Sequence, residues 1–360
     1  MKYIDEFRDK EIVKKLRRRI ENFASGRSNL MEVCGTHTMA IFRSGIKQLL
    51  PPSINLISGP GCPVCVTSQT DIDRMLSLAR CENVIIATFA DMIKVPGSAS
   101  SLEKERANGC DIRPVYSPLD ALEIARENKN KEVVFLAVGF ETTAPVIASV
   151  VSDAKEKKLK NFSIYCCHKL IPPAMKALLE AREIKIDGFL CPGHVSSIIG
   201  ARAYDFIARD FNIPCVISGF EPTDILEAIM MLLSQKKEHR AGVEIQYKRA
   251  VQMEGNVKAQ QMLAEVFSPA DADWRGLGVI AKSGLQLRKE FRLLDASSKF
   301  DISSVKTVEP KNCMCGEVLR GVKTPKECKL FAKACTPENP YGPCMVSTEG
   351  TCAAWYKFSR

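Results

Sequence analysis

Short apolar runs alternate with longer stretches of helical periodicity through the first two-thirds of the chain. The runs are rich in β-branched and other apolar residues and lie at 54–57, 83–89, 133–139, 162–166, 188–191 and 214–219. Helical patterns occupy the intervals, for example at 70–79, 119–128, 174–183 and 198–209. Continuous apolar strands separated by helices are typical of parallel sheets that are covered on both faces. The sequence therefore predicts an α/β protein, in which ligands collect at the carboxyl ends of the strands.

An internal similarity indicates two related lobes. Two segments each end a strand in Gly-Phe-Glu before a helix, and they read "VVFLAVGFETTAP" and "IPCVISGFEPTDI". We therefore predict two similar parallel-sheet α/β lobes, at 25–125 and 126–238. From about Glu244 the strands become sparse and cysteines become frequent. The segment 239–360 is predicted to be a third, mainly helical and coil domain, and the N-terminal helix, at 1–24, is predicted to pack on it.

The charge and hydropathy patterns argue against binding to nucleic acid and against insertion into a membrane. The net charge is +9, but the basic residues are scattered, and their one dense run, 14–19, shares an amphipathic helical pattern with apolar residues. That pattern is typical of a solvated helix face, so we predict no nucleic-acid binding. No apolar run approaches the roughly 20 residues of a membrane-spanning helix. The N-terminus is charged and has no signal-peptide core, so a cytoplasmic protein is expected.

Cysteine is the unusual component of the composition. The chain has 15 cysteines, and in a reducing compartment these favour metal, cluster or redox chemistry over a disulfide framework. Six of them lie in the last 48 residues, at Cys313, Cys315, Cys328, Cys335, Cys344 and Cys352. Their spacing lacks the paired C-x2–4-C knuckles of zinc ribbons. The third domain is therefore predicted to carry an iron–sulfur cluster, which needs four thiolates and leaves two over. A structural zinc site with spare cysteines is the alternative.

A second group of thiols lies near the N-terminus, in "CGTH" and "GPGCPVC". Together, Cys34-x-x-His37 and Cys62-x-x-Cys65 have the composition of a Cys3His zinc site. Pro63, inside the second motif, is instead typical of a redox-active dithiol. Cys34 beside a glycine and two threonines is typical of an exposed ligand or nucleophile. These residues leave a zinc site and a dithiol both open.

Further motifs follow other strands. "GFETTAP" supplies a carboxylate and two hydroxyls, in Glu141, Thr142 and Thr143, which either begin a helix or line a cleft. "YCCHK" and "CPGHVS" each place a thiol near an imidazole, which would serve as ligand or proton donor.

These motifs, together with "SGFEP" and the cysteine-rich tail ending "CAAWY", resemble the HypD family of NiFe-hydrogenase maturation factors. The resemblance runs from about Met31 to Tyr356 and shows no departure at the cysteines. It implies two similar α/β lobes and a third domain with a 4Fe–4S cluster. It also implies a role in assembling the Fe(CN)2CO group, with iron held jointly with a HypC-type chaperone and cyanide accepted from a HypE-type donor.

The resemblance also implies roles for individual residues. Cys34 would bind the iron, with His37 as a second ligand or proton carrier. Cys62 and Cys65 would form a dithiol/disulfide pair. The implied cluster ligands are Cys313, Cys328, Cys335 and Cys352. Cys315 and Cys344 would then be an adjacent redox pair.

Two other functions remain open on the sequence. A cluster- or zinc-containing thiol oxidoreductase acting on a small molecule would turn over without partner proteins. A scaffold with only structural metal would tolerate loss of Cys62. The chain contains neither G-x-G-x-x-G nor a P-loop motif, so nucleotide binding is not expected.

Overall fold

The computed structural model describes residues 7–24, 26–302 and 306–359. Within these ranges the strands are β1 (Ser28–Glu32), β2 (Ile54–Ser58), β3 (Val84–Phe89), β4 (Asp111–Val115), β5 (Glu132–Ala137), β6 (Phe162–Cys166), β7 (Gly188–Pro192), β8 (Cys215–Ser218), β9 (Val243–Ile245), β10 (Phe267–Trp274) and β11 (Gly278–Leu287). The helices up to the seventh strand are α1 (Lys10–Phe23), α2 (Gly35–Arg43), α3 (Ile46–Leu49), α4 (Pro63–Val66), α5 (Gln69–Ala79), α6 (Ala90–Ile93), α7 (Leu102–Ala107), α8 (Pro118–Glu127), α9 (Ala144–Glu156) and α10 (Ile171–Ala181). The later helices are α11 (Gly193–Ile199), α12 (Asp205–Phe211), α13 (Pro222–Lys237), α14 (Val257–Val266), α15 (Ala296–Lys299), α16 (Cys315–Leu319), α17 (Pro343–Val346) and α18 (Thr351–Phe358).

The strands form two parallel sheets and one hairpin. The first sheet has the order β2-β1-β7-β8-β9, and the second has the order β4-β3-β5-β6. All pairings within these two sheets are parallel, whereas β10 and β11 pair antiparallel. The mixed α/β class predicted from the alternation of strands and helices is therefore confirmed.

Local sequence explains the central strands and the helix starts. In β5 every residue from Val133 to Ala137 is fully buried, as expected for a strand with helices on both faces. Ser117 begins α8 with a capping box that includes Asp120, and Pro118 occupies the first turn, where its missing N–H costs nothing. All six predicted strands are present, at nearly the predicted bounds.

The strands that the pattern missed are short, polar or peripheral. The β1 segment "SNLME" is half polar, and β4 contains Pro114, which an edge strand tolerates because one side needs no hydrogen-bond donor. The hairpin β10–β11 lies where strands were expected to thin out, and it carries exposed polar residues on much of its length. These segments lack the continuous apolar run by which buried strands are recognised.

The predicted boundary between lobes at 125/126 does not separate the two sheets. The first sheet takes β1 and β2 from the start of the chain and β7 to β9 from 188–245, whereas the second takes β3 to β6 from 84–166. The chain leaves the first sheet after β2 and returns at β7, which pairs with β1. Hydrophobic periodicity identifies a strand but does not specify which strand it pairs with. The predicted boundary therefore falls inside the second sheet, between β4 and β5.

The predicted packing of the N-terminal helix also differs from the structure. Helix α1 packs on α13, and its buried Leu16 and Ile20 join the apolar cluster beside the first sheet rather than the cysteine-rich tail. Residues 1–6 of the predicted helix lie outside the described residues. The predicted third domain is also not separate throughout, because β9 extends the first sheet and α14 packs on α9.

The two sheets carry the sequence motifs at their carboxyl ends. "CGTH" follows β1, "GPGCPVC" follows β2, "CPGHVS" overlaps the end of β7, and "GFETTAP" follows β5 of the second sheet. The arrangement places the loops with chemical side chains where ligands bind open parallel sheets. In the described part of the chain, no helix has both the length and the apolar character needed to cross a bilayer.

Candidate functional site

Cys34 lies at the junction of β1 and α2. It is the N-cap residue of α2, with an extended backbone, and only 7% of its surface is exposed. Its backbone N–H donates to Oε2 of Glu32 at 3.0 Å. Burial raises the pKa of the Cys34 thiol to about 12, with smaller upward contributions from the carboxylates of Glu349 and Glu32 and an opposing effect of the His37 backbone N–H. A metal that binds this sulfur must therefore displace its proton.

Cys34 faces a cleft between the carboxyl ends of the two sheets. The cleft has a volume of about 380 Å³. Its polar lining combines residues that follow β1, β5 and β7 with one residue from the tail, namely Cys34, Thr36, Thr142, Thr143, His194, Ser197 and Glu349. Thr142 and Thr143 therefore do line a cleft. Thr143 also occupies the N-cap position of α9, without a side-chain cap, so the two interpretations of "GFETTAP" do not exclude each other.

The turn before the Cys62 motif packs directly on the backbone of Cys34. A Cβ atom at Gly61 would lie 2.0 Å from the Cys34 nitrogen, so only glycine fits. The Gly35 N–H also donates to the Gly61 carbonyl at 2.9 Å. Gly61 and Pro63 form part of the cleft wall. The two N-terminal motifs thus meet at the cleft, although they are separated by a helix pair and a strand.

Cys62 and Cys65, hereafter the dithiol pair, lie behind this wall. Cys62 is 4% exposed and Cys65 is fully buried. The Cys65 N–H donates to Cys62 Sγ at 3.3 Å, and the Cys62 thiol donates to Ser347 Oγ, also at 3.3 Å. Burial acts to raise the pKa of Cys65, but hydrogen bonds from the thiols of Cys344 and Cys62 lower it to about 6. Burial and the Cys65 hydrogen bond raise the pKa of Cys62, so Cys65 is the more acidic member of the pair.

The dithiol pair is in contact with thiols of the cysteine-rich tail. Helix α17 packs on α4, which brings Cys344 within hydrogen-bonding contact of Cys65. The Sγ atoms of Cys344 and Cys315 are 3.0 Å apart, and both residues are buried. Hydrogen bonds to Cys315, Cys352 and Cys65 raise the pKa of Cys344. A continuous line of sulfur atoms therefore runs from the dithiol pair into the tail.

His37 has a different position from the one expected of an iron ligand. It is fully buried and does not line the cleft, whereas His194 does. Its Nε2–H donates to the Gly219 carbonyl at 2.9 Å, and Nδ1 has no hydrogen-bond partner among the described residues. Burial lowers the pKa of His37 to about 4, so the ring is neutral at pH 7. Its expected partnership with Cys34 at a metal stays a prediction.

Known proteins of one family match nearly the whole of this chain. A family model described as "HypD: Hydrogenase formation hypA family" matches residues 10–359. The hydrogenase maturation factor HypD2 of Bradyrhizobium diazoefficiens is 47% identical, over 100% of this chain and 97% of that protein. The hydrogenase maturation factor HypD of Escherichia coli K12 is 44% identical, over 100% of this chain and 99% of that protein. The chain belongs to the HypD family.

The resemblance inferred from the motifs is thereby confirmed. The HypD of Cupriavidus necator is a further relative, 47% identical over 100% of this chain and 98% of that protein. Among solved structures, a 2,3-dimethylmalate lyase aligns with 65% of this chain and 80% of its own at 12% identity. Its TM-score of 0.16 is too low to indicate a shared fold.

The chemistry of the cysteine-rich tail fits the 4Fe–4S cluster that the family resemblance implies. All six tail cysteines line one small, mainly apolar cavity, hereafter the cysteine pocket. A Cβ at Gly342 would lie 3.1 Å from Cys313 Sγ, so this glycine leaves room beside the thiols. The Tyr341 N–H donates to Cys335 Sγ at 3.4 Å, a hydrogen bond of the kind that tunes cluster sulfurs. The described residues contain no group of three donors already set around a single metal ion. Cluster thiolates each bind a different iron atom and need not converge on one point.

Two carboxylates at the site, those of Glu32 and Glu349, were not predicted from the sequence. Glu32 is 1% exposed, and it accepts from the Cys34 N–H and the Thr38 hydroxyl. Burial raises its pKa to about 8. Glu349 reaches the cleft from the tail and accepts from the Thr36 hydroxyl at 2.6 Å. Glu32 could have been noticed as a charged residue inside the apolar run "LMEVC". No local pattern connects Glu349 with Thr36, which lies 313 residues before it in the chain.

The thiol and imidazole of "YCCHK" lie outside the cleft. Cys166 Sγ is 3.4 Å from His168 Nδ1, and the thiol donates to the Leu285 carbonyl at 3.1 Å. Burial lowers the pKa of His168 to about 3 and raises that of Cys166 to about 12. Neither group is charged at neutral pH, and both pack against the hairpin β10–β11. The geometry agrees with a structural role for this pair.

Proposed function

We propose that this chain is a NiFe-hydrogenase maturation factor that holds iron at Cys34 in the cleft while the Fe(CN)2CO group is assembled. Its partners are a HypC-type chaperone, which shares the iron, and a HypE-type donor, which delivers cyanide as a thiocyanate. The dithiol pair supplies the electrons for cyanide release. The tail cysteines Cys313, Cys328, Cys335 and Cys352 would hold a 4Fe–4S cluster, which when bound supplies electrons one at a time.

One observation carries the proposal above the others: the contact of the dithiol pair with Cys344. A structural zinc site holds its ligands around one atom and does not require contact between one thiol pair and the next. The sulfur atoms instead follow one another from Cys62 through Cys65 and Cys344 to Cys315. Thiols in sequential contact support exchange of disulfides between neighbouring pairs. The cleft with Cys34 lies on the other side of the Gly61 turn.

The electron balance of cyanide release matches one dithiol. A protein thiocyanate and the two thiols of the dithiol pair give a protein thiol, a disulfide and hydrogen cyanide. The sulfur–carbon bond of the thiocyanate breaks, the Cys62–Cys65 bond forms, and iron captures cyanide as its proton is lost. Cys65 has the lowered pKa of the two and is the more acidic thiol, whereas the pKa of Cys62 is raised. Both sulfurs are buried, so a partner reaches them only when the Pro63 turn moves away from the cleft.

Disulfide exchange then restores the dithiol pair. Cys344 attacks the sulfur of Cys65, its nearest neighbour in the pair, and forms a mixed disulfide with it. Cys315, whose sulfur lies 3.0 Å from that of Cys344, displaces Cys65 and closes a Cys315–Cys344 disulfide. Cys62 and Cys65 regain their thiol state, and the oxidising equivalents now lie in the cysteine pocket. Each step exchanges one sulfur–sulfur bond for another, so no further oxidant is needed.

The decisive experiment is the infrared spectrum of the protein isolated together with its small chaperone. We expect cyanide and CO stretching bands from the wild-type complex and their complete loss in Cys34→Ala. The brown chromophore of the cluster should be retained, because Cys34 lies outside the cysteine pocket. Cys110→Ala, at a half-buried thiol in a loop, is the matched control and should keep the bands.

Loss of the chromophore in Cys34→Ala would contradict the separation of the two sites. A thiol oxidoreductase would instead turn over a small substrate without partners, and its spectrum would contain neither cyanide nor CO bands.

A further inference from the structure

Phe220 lies between two histidine rings, one of which, His194, lines the cleft. Its ring centroid is 4.0 Å from that of His194 with an interplanar angle of 27°, and 4.7 Å from that of His37 with an angle of 31°. Tyr247 meets the edge of Phe220 at 5.8 Å and 79°. The three rings therefore form a stack that begins at the buried His37 and ends at His194 in the cleft wall.

The His194 imidazole packs face to face against Phe220. No described residue makes a hydrogen bond to either ring nitrogen of His194, although its backbone carbonyl accepts from the Ser197 hydroxyl. Metal-binding histidines usually have one ring nitrogen fixed by a hydrogen-bond partner. At His194 the stacked ring of Phe220 stands in place of such a partner.

The turn that carries Phe220 is itself held from three sides. The Gly219 N–H donates to Gln246 Oε1 at 3.0 Å, and the Gly219 carbonyl accepts from His37. Asp224, which is fully buried, accepts from Gln246 Nε2 at 2.9 Å and from the Arg249 guanidinium. A Cβ at Gly219 would lie 2.3 Å from the Asp224 carboxylate, so the turn leaves no room for a side chain there. Phe220 therefore has little freedom to tilt.

We propose that Phe220 is a positioning residue, which holds His194 toward the iron that Cys34 binds, and that His37 acts through Phe220 instead of binding the metal. This inference rests on the proposed function, because it requires a metal at Cys34. It explains why His37 is buried behind the cleft wall and why its Nε2–H is committed to the turn that carries Phe220.

The test uses Co²⁺ alone as a probe of the cleft, added to the cluster-loaded protein without oxygen. Affinity is measured by calorimetry, and the thiolate-to-cobalt absorption reports Cys34. An aromatic pair contributes about 0.5–1.5 kcal/mol, so Phe220→Leu should weaken Co²⁺ binding about two- to thirteenfold. Phe220→Tyr, which keeps the flat ring, should restore it.

A double-mutant cycle separates positioning from general damage. In the His194→Ala background, Phe220→Leu should cost no further affinity, because the ring that it positions is gone. His37→Phe keeps a ring in the stack and removes the nitrogens, so it should retain binding within about threefold. If Phe220→Leu is not folded, His37→Phe supplies the test alone.

Three results would overturn the inference and leave the Cys34 site intact: equal losses from Phe220→Leu in both backgrounds, no loss from His194→Ala, or a loss in His37→Phe as large as that in Cys34→Ala. The absence of any Cys34-dependent Co²⁺ binding would overturn the proposed function together with this inference.

Discussion

Glu141 is a buried carboxyl whose ionisation should control the stability of the fold at alkaline pH. Only 2% of its surface is exposed. One oxygen accepts from the Ile171 N–H at the start of α10, at 2.9 Å, and the other has no partner among the residues described. Burial raises its pKa from 4.5 to about 7. We therefore consider the change Glu141→Gln, which keeps the shape and the acceptor oxygen and removes the charge.

The magnitude follows from the difference between the folded and unfolded pKa values. Between pH 4.5 and about pH 7 the folded protein holds a proton that the unfolded chain has lost. The free energy of unfolding of the wild type therefore falls as pH rises through this window, by about 1.4 kcal/mol per pH unit and about 3 kcal/mol in all. The amide does not titrate. Glu141→Gln should match the wild type near pH 4.5 and exceed it by about 3 kcal/mol at pH 8.

The assay is urea unfolding of the cluster-loaded protein, followed by far-UV circular dichroism at several pH values from 5 to 8.5. Glu32 also titrates in this range, but it is present in both proteins and cancels in their difference. In the difference between the wild-type and variant infrared spectra, the band of the protonated Glu141 carboxyl should disappear near pH 7. Glu82→Gln, at an exposed glutamate, is the control and should follow the wild type. A Glu141→Gln advantage that does not change with pH would refute the reasoning.

Two further predictions concern the connections between the sites. Gly61→Ala places a Cβ 2.0 Å from a neighbouring backbone nitrogen, so its turn must move by more than 1 Å. The cyanide and CO infrared bands should then form about 100-fold more slowly. The control is Gly242→Ala, where the added Cβ meets nothing closer than 3.7 Å, and it should form the bands at the wild-type rate. A rate for Gly61→Ala within twofold of wild type would contradict this prediction. Cys344→Ala should leave the dithiol pair oxidised after a single turnover, as measured by alkylation and peptide mass spectrometry, while Cys81→Ser recovers both thiols. Equal recovery in Cys344→Ala would show that exchange follows another route.

Local patterns in the sequence were sufficient for the chain's class and for its strongest motifs. The apolar runs in β2, β3 and β5 to β8 are continuous because helices cover both sheet faces, so they were recognisable without a structure. The motifs follow strand ends because parallel strands present their carboxyl ends on one edge. The abundance of cysteine in the tail led to the prediction of cluster or redox chemistry, which stays a prediction.

Other features required knowledge of which segments meet. The return of the chain to β1 through β7 decides the membership of both sheets, and it depends on crossovers that leave no periodic signal. The same is true of Glu349, which reaches the cleft beside Thr36.

The sequence by itself determined the α/β class and the family, because periodicity and motif spacing are local properties of the chain. Only the tertiary structure decided that Cys344 lies against Cys65 and that His194, not His37, faces the cleft with Cys34. Helices α4 and α17 pack together, although 278 residues separate Cys65 in the first from Pro343 in the second. Contacts at that range are selected by the burial of apolar surface over the whole fold, which no short window of sequence contains.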